Sequence, residues 1–264
     1  MTQDAVRIVA DPAWHAHRIN AAMSELYFVR IDRERHRTVT FLEDKYLGTD
    51  LERATLPFAA VEAAVASFDQ PDPRFIFHSS MATSTLLTRI FDAPGASMSL
   101  AEPIILNELA SLKRRGVDVG RTLPTVLKLL GRPFAAGEKI VVKPGNTANV
   151  LIPEIAQALP DFRALIIEAP IRTYLRSVAK KGIFGRTVYR RLYALLARDR
   201  TLKTGFTPLA AIRIATYNGA LYMGRADRIG LHLFLGDAEQ LGQLRHGGGV
   251  ARAEVGQRKP SAVG

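Results

Sequence analysis

The chain has 264 residues, room for one domain with an appendage at the usual ~100–200 residues per domain. With 47% apolar and 23% charged residues and no cysteine, its composition excludes several global descriptions and chemistries. Wholesale disorder, collagen-like repeats and coiled coil are out, as are disulfide scaffolds, Cys-based zinc sites and thiol nucleophiles. The formal charge of +11 favours an anionic partner: a phosphorylated small molecule, nucleic acid or an acidic membrane surface.

No run approaches the ~18 uncharged apolar residues that a membrane span needs. The opening MTQDAVRIVADPAW also lacks the basic-then-apolar layout of a secretory signal. A soluble, cytoplasmic chain without a transmembrane segment is therefore expected.

In chain order, the first chemical candidate is Trp14-His15-Ala16-His17. Two histidines at i and i+2 with no carboxylate cluster beside them read as surface residues rather than metal ligands, and no metal is predicted. Tyr27–Ile31 and Thr38–Leu42 are β-rich and separated by the charged DRERHR, which predicts a hairpin. Leu56, Val61, Val65 and Phe68 are spaced for one face of a helix. The proline-punctuated QPDPR, Gln70–Arg74, marks the boundary between an N-terminal extension, residues 1–70, and a main domain, residues 71–235.

From Phe75 onward, strand and helix patterns alternate. Phe75–Phe77, Lys139–Lys143 and Ala164–Glu168 are short apolar runs of the kind buried on both faces of a parallel sheet. Helices are predicted over Ser84–Phe91, Pro103–Arg115, TLPTVLKLL, TANVLIPEIAQAL with a start or kink at Pro153, and Ile171–Gly182. The fold class that follows is α/β, a three-layer αβα arrangement around a mostly parallel central sheet. Residues 236–264, with seven glycines and no aromatic side chain, predict a disordered tail.

The cations are not spread evenly. From Arg172 to Lys203 there are ten against a single anion, Asp199.

The most informative stretch is FIFHSSMATSTLLTRI, Phe75–Ile90. A buried strand, a loop of small and hydroxyl residues and a helix opening at Ser84-Thr85 is the layout of an anion cradle. The first amides of a helix have no internal partner and carry partial positive charge. The hydroxyls of Ser79, Ser80, Ser84 and Thr85 add further donors. The glycines and lysine of a Walker A loop are absent. His78 stands beside the loop and reads as a satisfied strand-end histidine. No G-x-S-x-G elbow supports a serine nucleophile.

This layout resembles the 5′-phosphosulfate loop of sulfotransferases, F-x-x-x-x-P-R-S-G-T-T-x-L, with Ser84-Thr85 at the two threonines. Met81 stands at the family's basic residue and Thr83 at its glycine. A second block, KPGNTANVLIPEIAQALPDFRALIIEAPIRTYLRSVAKK, resembles the bacterial run K-T-P…L-P-E-I…F-P-D-A-R-F-I-x-x-V-R-D-P-R-x-x-x-x-S through Lys143-Pro144, Pro153-Glu154-Ile155, Pro160-Asp161, Arg163, Arg172 and Ser177. Ala169 replaces the first arginine of that pattern. In the third block, ASMSLAEPIIL, Glu102 matches the family's general base.

The resemblance covers residues 74–181 and implies a P-loop, sulfotransferase-like domain that binds 3′-phosphoadenosine 5′-phosphosulfate (PAPS) and transfers its sulfuryl group to a hydroxyl or amine of a small-molecule acceptor. It implies the 5′-phosphosulfate on the Ser79–Thr85 loop and the 3′-phosphate near Arg172, Arg176 and Ser177. Glu102 would be the base. Lys143, at a strand end facing the same crevice, is the cation expected to stabilise departure, because Met81 cannot. Two alternatives stay open: a catalytically degenerate relative that binds a nucleotide or another anion, and a nucleic-acid-binding protein using the basic 172–203 segment.

Overall fold

The computed structural model describes residues 3–196 and 233–235. The expected tail, and Arg198, Arg200 and Lys203 of the basic segment, lie outside the described residues.

The chain opens with α1 (Gln3–Ala10), then β1 (Trp14–Ile19) and β2 (Glu25–Arg30). These strands form the hairpin, one element earlier than the β-rich segments predicted. Asn20 makes its turn: its side-chain oxygen accepts the amides of Ser24 at 2.9 Å and Glu25 at 3.3 Å, a polar side chain mimicking a backbone turn. The charged DRERHR is not the loop of a hairpin but the body of α2 (Arg33–Thr38), capped by Asp32, which accepts the amide of Arg35 at 2.7 Å. After α3 (Asp44–Leu47), β3 (Arg53–Pro57) adds to β2, giving an antiparallel sheet in the order β1-β2-β3. Leu56 belongs to that strand, so the helix expected around it is shorter: α4, Phe58–Val65.

The main sheet has the strand order β5-β6-β4-β7-β8. Its strands are β4 (Arg74–His78), β5 (Ser97–Ala101), β6 (Lys139–Lys143), β7 (Arg163–Ile167) and the edge strand β8 (Leu233–Leu235). The first four are parallel, and β8 pairs antiparallel with β7. Strand β5 was not predicted: SMSLA alternates serine with apolar residues and lacks the Val/Ile-rich run seen in β6 and β7.

The sheet is buried on both faces. Phe75 and Phe77 stack on one side of β4 with ring centroids 5.5 Å apart, and Ile76 points to the other, as the two-residue strand period requires. The Phe75/Phe77 face packs against α6 (Ile104–Arg114), α7 (Thr122–Leu130) and a 3₁₀ turn, Asn146–Leu151, leading into α8 (Ile152–Ala158). The Ile76 face packs against Tyr174 of α9 (Ile171–Lys180) and Leu192 of α10 (Gly182–Leu196), together with Leu87 of α5 (Ser84–Ile90). This is a three-layer α/β arrangement with a separate antiparallel sheet. The buried residues of that antiparallel sheet, Trp14, Leu26 and Phe28 among them, continue the Phe75/Phe77 core without a break.

His15 and His17, expected at the surface, are instead buried in β1 with His36 of α2 beside them. Ring centroids lie 5.4 Å apart for His15–His36 and 6.3 Å for His15–His17. Their polarity in the sequence hid the strand that carries them. Burial depresses all three: His36 falls from 6.5 to about 3, and His15 goes well below its ordinary value, lowered further by His36 and His17. His17 is lowered less because its hydrogen bond to Asp44, 2.7 Å, opposes the effect of burial. A base depressed in the folded state stabilises the fold above its unfolded value and loses that contribution as the pH falls. Thermal stability is therefore expected to hold above about pH 6.5 and to decline steeply from there toward about pH 4. Melting curves across that range, with His36→Phe flattening the slope, provide the check.

Candidate functional site

From β4 the chain crosses to the far edge at β5 and returns through β6, which pairs with β4. It then leaves in the other direction to β7. The connections after β4 and after β6 thus diverge. In open α/β sheets, ligands bind in the crevice outside the strand ends at this reversal. Here the loop after β4, Glu102 after β5 and Lys143-Pro144 at the end of β6 stand at that end of the sheet.

The loop from Ser79 to Thr83 adopts an unusual backbone. Ser80, Met81 and Thr83 have φ of 75°, 51° and 61°, a region that costs side-chain-bearing residues about 1 kcal/mol or more each. The amides of Ser79 and Ser80 are already used: Ser79 donates to Ile167 O at 3.0 Å and Ser80 to His78 Nδ1 at 3.1 Å. Among the described residues, the amides of Met81 through Thr85 have no protein acceptor. The left-handed Thr83 followed by the helical Ser84 turns successive N–H groups to one side, a concavity suited to an anion.

Ser79 does not join that concavity. It is fully buried, and its hydroxyl accepts the amide of Ala169 at 3.1 Å, tying the loop to the end of β7. Ser80 is half-buried. Ser84 is buried at the start of α5, its carbonyl accepting the Thr88 hydroxyl at 2.8 Å, and Thr85 borders a shallow groove with Arg89, Ser99, Ala101 and Arg37. The side chain of Met81 packs with Leu87 and Val178 against the Ile76 cluster. At the position where the sulfotransferase pattern has its basic side chain, this loop puts a half-buried apolar one against the core.

His78 links the loop to the rest of the crevice. Its Nδ1 accepts the Ser80 amide, so Nε2 carries the proton and donates to Pro144 O at 3.1 Å. Burial, and then the positive Lys143, push its pKa well below 6.5, which keeps it in that neutral tautomer. Its Nε2 is also 3.9 Å from Glu102 Oε1. Asn149 donates to the His78 carbonyl at 3.1 Å. Nothing in the sequence singled out Asn149.

Glu102 and Lys143 form an ion pair through Glu102 Oε1. The Glu102 amide donates to Lys143 O at 2.7 Å, extending the β5–β6 pairing by one residue, and Glu102 itself has φ of 52°. The Lys143 side chain is 0% exposed and that of Glu102 18%. The ammonium lies 5.1 Å from the centre of the Phe41 ring, in a segment clipped to the end of β5 by the Leu42 amide donating to Ala101 O at 2.8 Å. Lys143 therefore stands behind Glu102, and the carboxylate is the member of the pair that meets solvent. Residues 1–70 thus supply part of the site's wall, which the sequence did not suggest.

The three residues expected at the 3′-phosphate all lie on α9, the helix that follows β7. Arg172 lies in the first turn of α9 at the loop end of the sheet, and Arg176 one turn further. Both are exposed, on the side opposite the buried Tyr174. The Ser177 hydroxyl donates to Thr173 O at 2.9 Å, a local helix contact. Among the described residues, no group of three or more His, Asp or Glu side chains is placed to hold a metal ion, and no helix is long and apolar enough to cross a membrane. Compared with models of protein families, with curated proteins and with solved structures, the chain matches none of them.

Proposed function

We propose that the crevice binds PAPS, with the 5′-phosphosulfate on the Met81–Thr85 amides and the hydroxyls of Ser80, Ser84 and Thr85, and that the protein transfers the sulfuryl group to a hydroxyl or amine of a small-molecule acceptor. The observation that carries this reading is the meeting, at one end of the sheet, of unpaired loop amides with a partly exposed carboxylate backed by a buried ammonium.

In the proposed step the acceptor oxygen forms a bond to sulfur and its proton passes to Glu102. The bond from sulfur to the bridging oxygen breaks, and its electron pair stays on the departing nucleotide phosphate. The Lys143–Glu102 pair couples these events. Once Glu102 takes the proton its charge is gone, and the positive Lys143 behind it is uncompensated as negative charge builds on the bridging oxygen. Lys143 is thus a positioning and charge-balancing residue acting through Glu102.

Calorimetry with adenosine 3′,5′-bisphosphate, the desulfated product, is expected to show binding with a Kd of about 1–100 μM. Glu102→Gln, measured below its own melting temperature, is expected to keep that affinity and lose sulfuryl transfer by at least about 100-fold, within the usual contribution of a general base. No heat with the nucleotide at about 100 μM removes the reading.

A second reading, binding of a nucleotide or another anion without transfer, is favoured by one observation: Met81 puts no charge on the loop and Lys143 is already neutralised. Nucleotide affinity unchanged in Glu102→Gln, with no sulfated product from alcohols or amines using the wild-type protein, selects it.

A further inference from the structure

The sequence from Ile171 to Leu196 contains seven cations and no acidic residue, and the structure folds it into two helices joined by a sharp bend. Gly182, with φ of +55°, makes the bend, and a side chain on Gly185 would lie 2.2 Å from the carbonyl oxygen of Val178. The two backbones approach too closely there for any residue but glycine. Tyr174, Val178 and Leu192 anchor the pair to the sheet. The apex faces outward with its apolar residues uncovered: Ile183 is 77% exposed and Phe184 63%. Lys180 and Lys181 flank them and are exposed, with the Lys181 ammonium 6.0 Å over the Phe184 ring. Leu175, 43% exposed, and Val188 continue the apolar patch along the two helices, while Arg190 and Arg191 extend the exposed charge.

We propose that this bend is a docking surface for an anionic lipid bilayer, with Ile183 and Phe184 entering the headgroup–acyl boundary and the surrounding lysines and arginines meeting lipid phosphates and carboxylates. Exposed apolar side chains ringed by cations, with no anion among them, have the pattern of an interfacial helix. Long lysine side chains keep their ammonium groups at headgroup level while the stem lies along apolar surface. Charge complementarity argues against two other occupants. The residues after Leu196 carry ten cations against five anions, a balance of +5, so they are repelled by the patch. In a two-fold dimer the patch would face its own copy. The uncovered Ile183-Phe184 tip separates a bilayer from nucleic acid, since a phosphate backbone calls for cations and gains nothing from an aliphatic wedge.

The test is cosedimentation of the full chain with vesicles of phosphatidylcholine alone or with about 30% phosphatidylserine. Binding is expected only to the phosphatidylserine vesicles, falling with added salt. It is expected to drop at least tenfold in Ile183→Asp/Phe184→Asp and severalfold in Lys180→Gln/Lys181→Gln. All four positions are exposed, so the fold does not depend on them. Phe184→Trp supplies a second readout, since Trp14 is the chain's only tryptophan and is buried. Its emission is expected to shift to the blue on adding phosphatidylserine vesicles. Equal partitioning onto both vesicles, or undiminished binding in both double variants, overturns the proposal. So does an unmoved Phe184→Trp emission in a protein that instead binds an oligonucleotide through Lys180 and Lys181.

Discussion

Glu102→Ala is expected to destabilise the protein by about 3–5 kcal/mol, a fall in melting temperature of roughly 10 °C for a domain of this size. The cost comes from the residue left behind. Lys143 has no exposed side-chain surface, and without Glu102 its ammonium keeps, among the described residues, the face of the Phe41 ring at 5.1 Å. A cation–π contact worth about 0.5–2 kcal/mol does not replace the hydration that a buried ammonium has given up. Removing both charges together, in Lys143→Met/Glu102→Leu, is expected to recover most of the loss, because a buried pair and a well-packed apolar pair of similar volume are close in energy. Chemical denaturation of Lys143→Met, Glu102→Leu and the double variant measures the coupling. Single variants within about 0.5 kcal/mol of the wild type would show that the pair is not enclosed as described, and the proposed role of Lys143 behind Glu102 would go with it.

Arg132→Ala is expected to cost about 2–4 kcal/mol without touching the crevice. The Arg132 guanidinium donates to Leu129 O at 2.8 Å and Asp11 O at 3.1 Å, and also to the carbonyls of Val9 and Trp14. It closes the C-terminal end of α1, where carbonyls have no partner within the helix and the dipole favours a cation. Burial lowers its pKa to about 10, leaving it charged throughout the neutral range. Arg132→Lys is expected to recover less than half of the loss, because an ammonium cannot reproduce the planar fork that reaches several carbonyls at once. Accelerated amide exchange in α1 and at the start of β1, with the main sheet still protected, is the expected signature. Wild-type stability in Arg132→Ala would show that these carbonyls are solvated in solution.

The main domain was legible from residue 75 onward because its strands are short apolar runs and its helices repeat their apolar positions at helical spacing. The identities of Phe75–Phe77, Ile140–Val142 and Leu165–Ile167 determine that these segments are buried on both faces, and the backbone has few ways to satisfy itself there other than a sheet. The Phe75–Ile90 stretch likewise declared a strand, a loop and a helix start. Local pattern misled where polar residues lie inside. His15 and His17 concealed β1 and the serines of SMSLA concealed β5, because burial of a polar side chain is granted by partners far away in the chain; the largely exposed DRERHR concealed a capped helix because its charges mark solvent in helix and loop alike.

The site divides the same way. Sequence alone determined which carboxylate, which lysine and which loop to consider, since residue type sets what chemistry is available. Only the tertiary structure decided that Lys143 meets Glu102, that Ser79 is spent holding β7, that Met81 packs against the core and that Phe41 closes the far side. Each of those outcomes depends on which strand ends stand next to one another. In a parallel sheet that adjacency is fixed by crossovers of tens of residues, and no spacing within a motif records it.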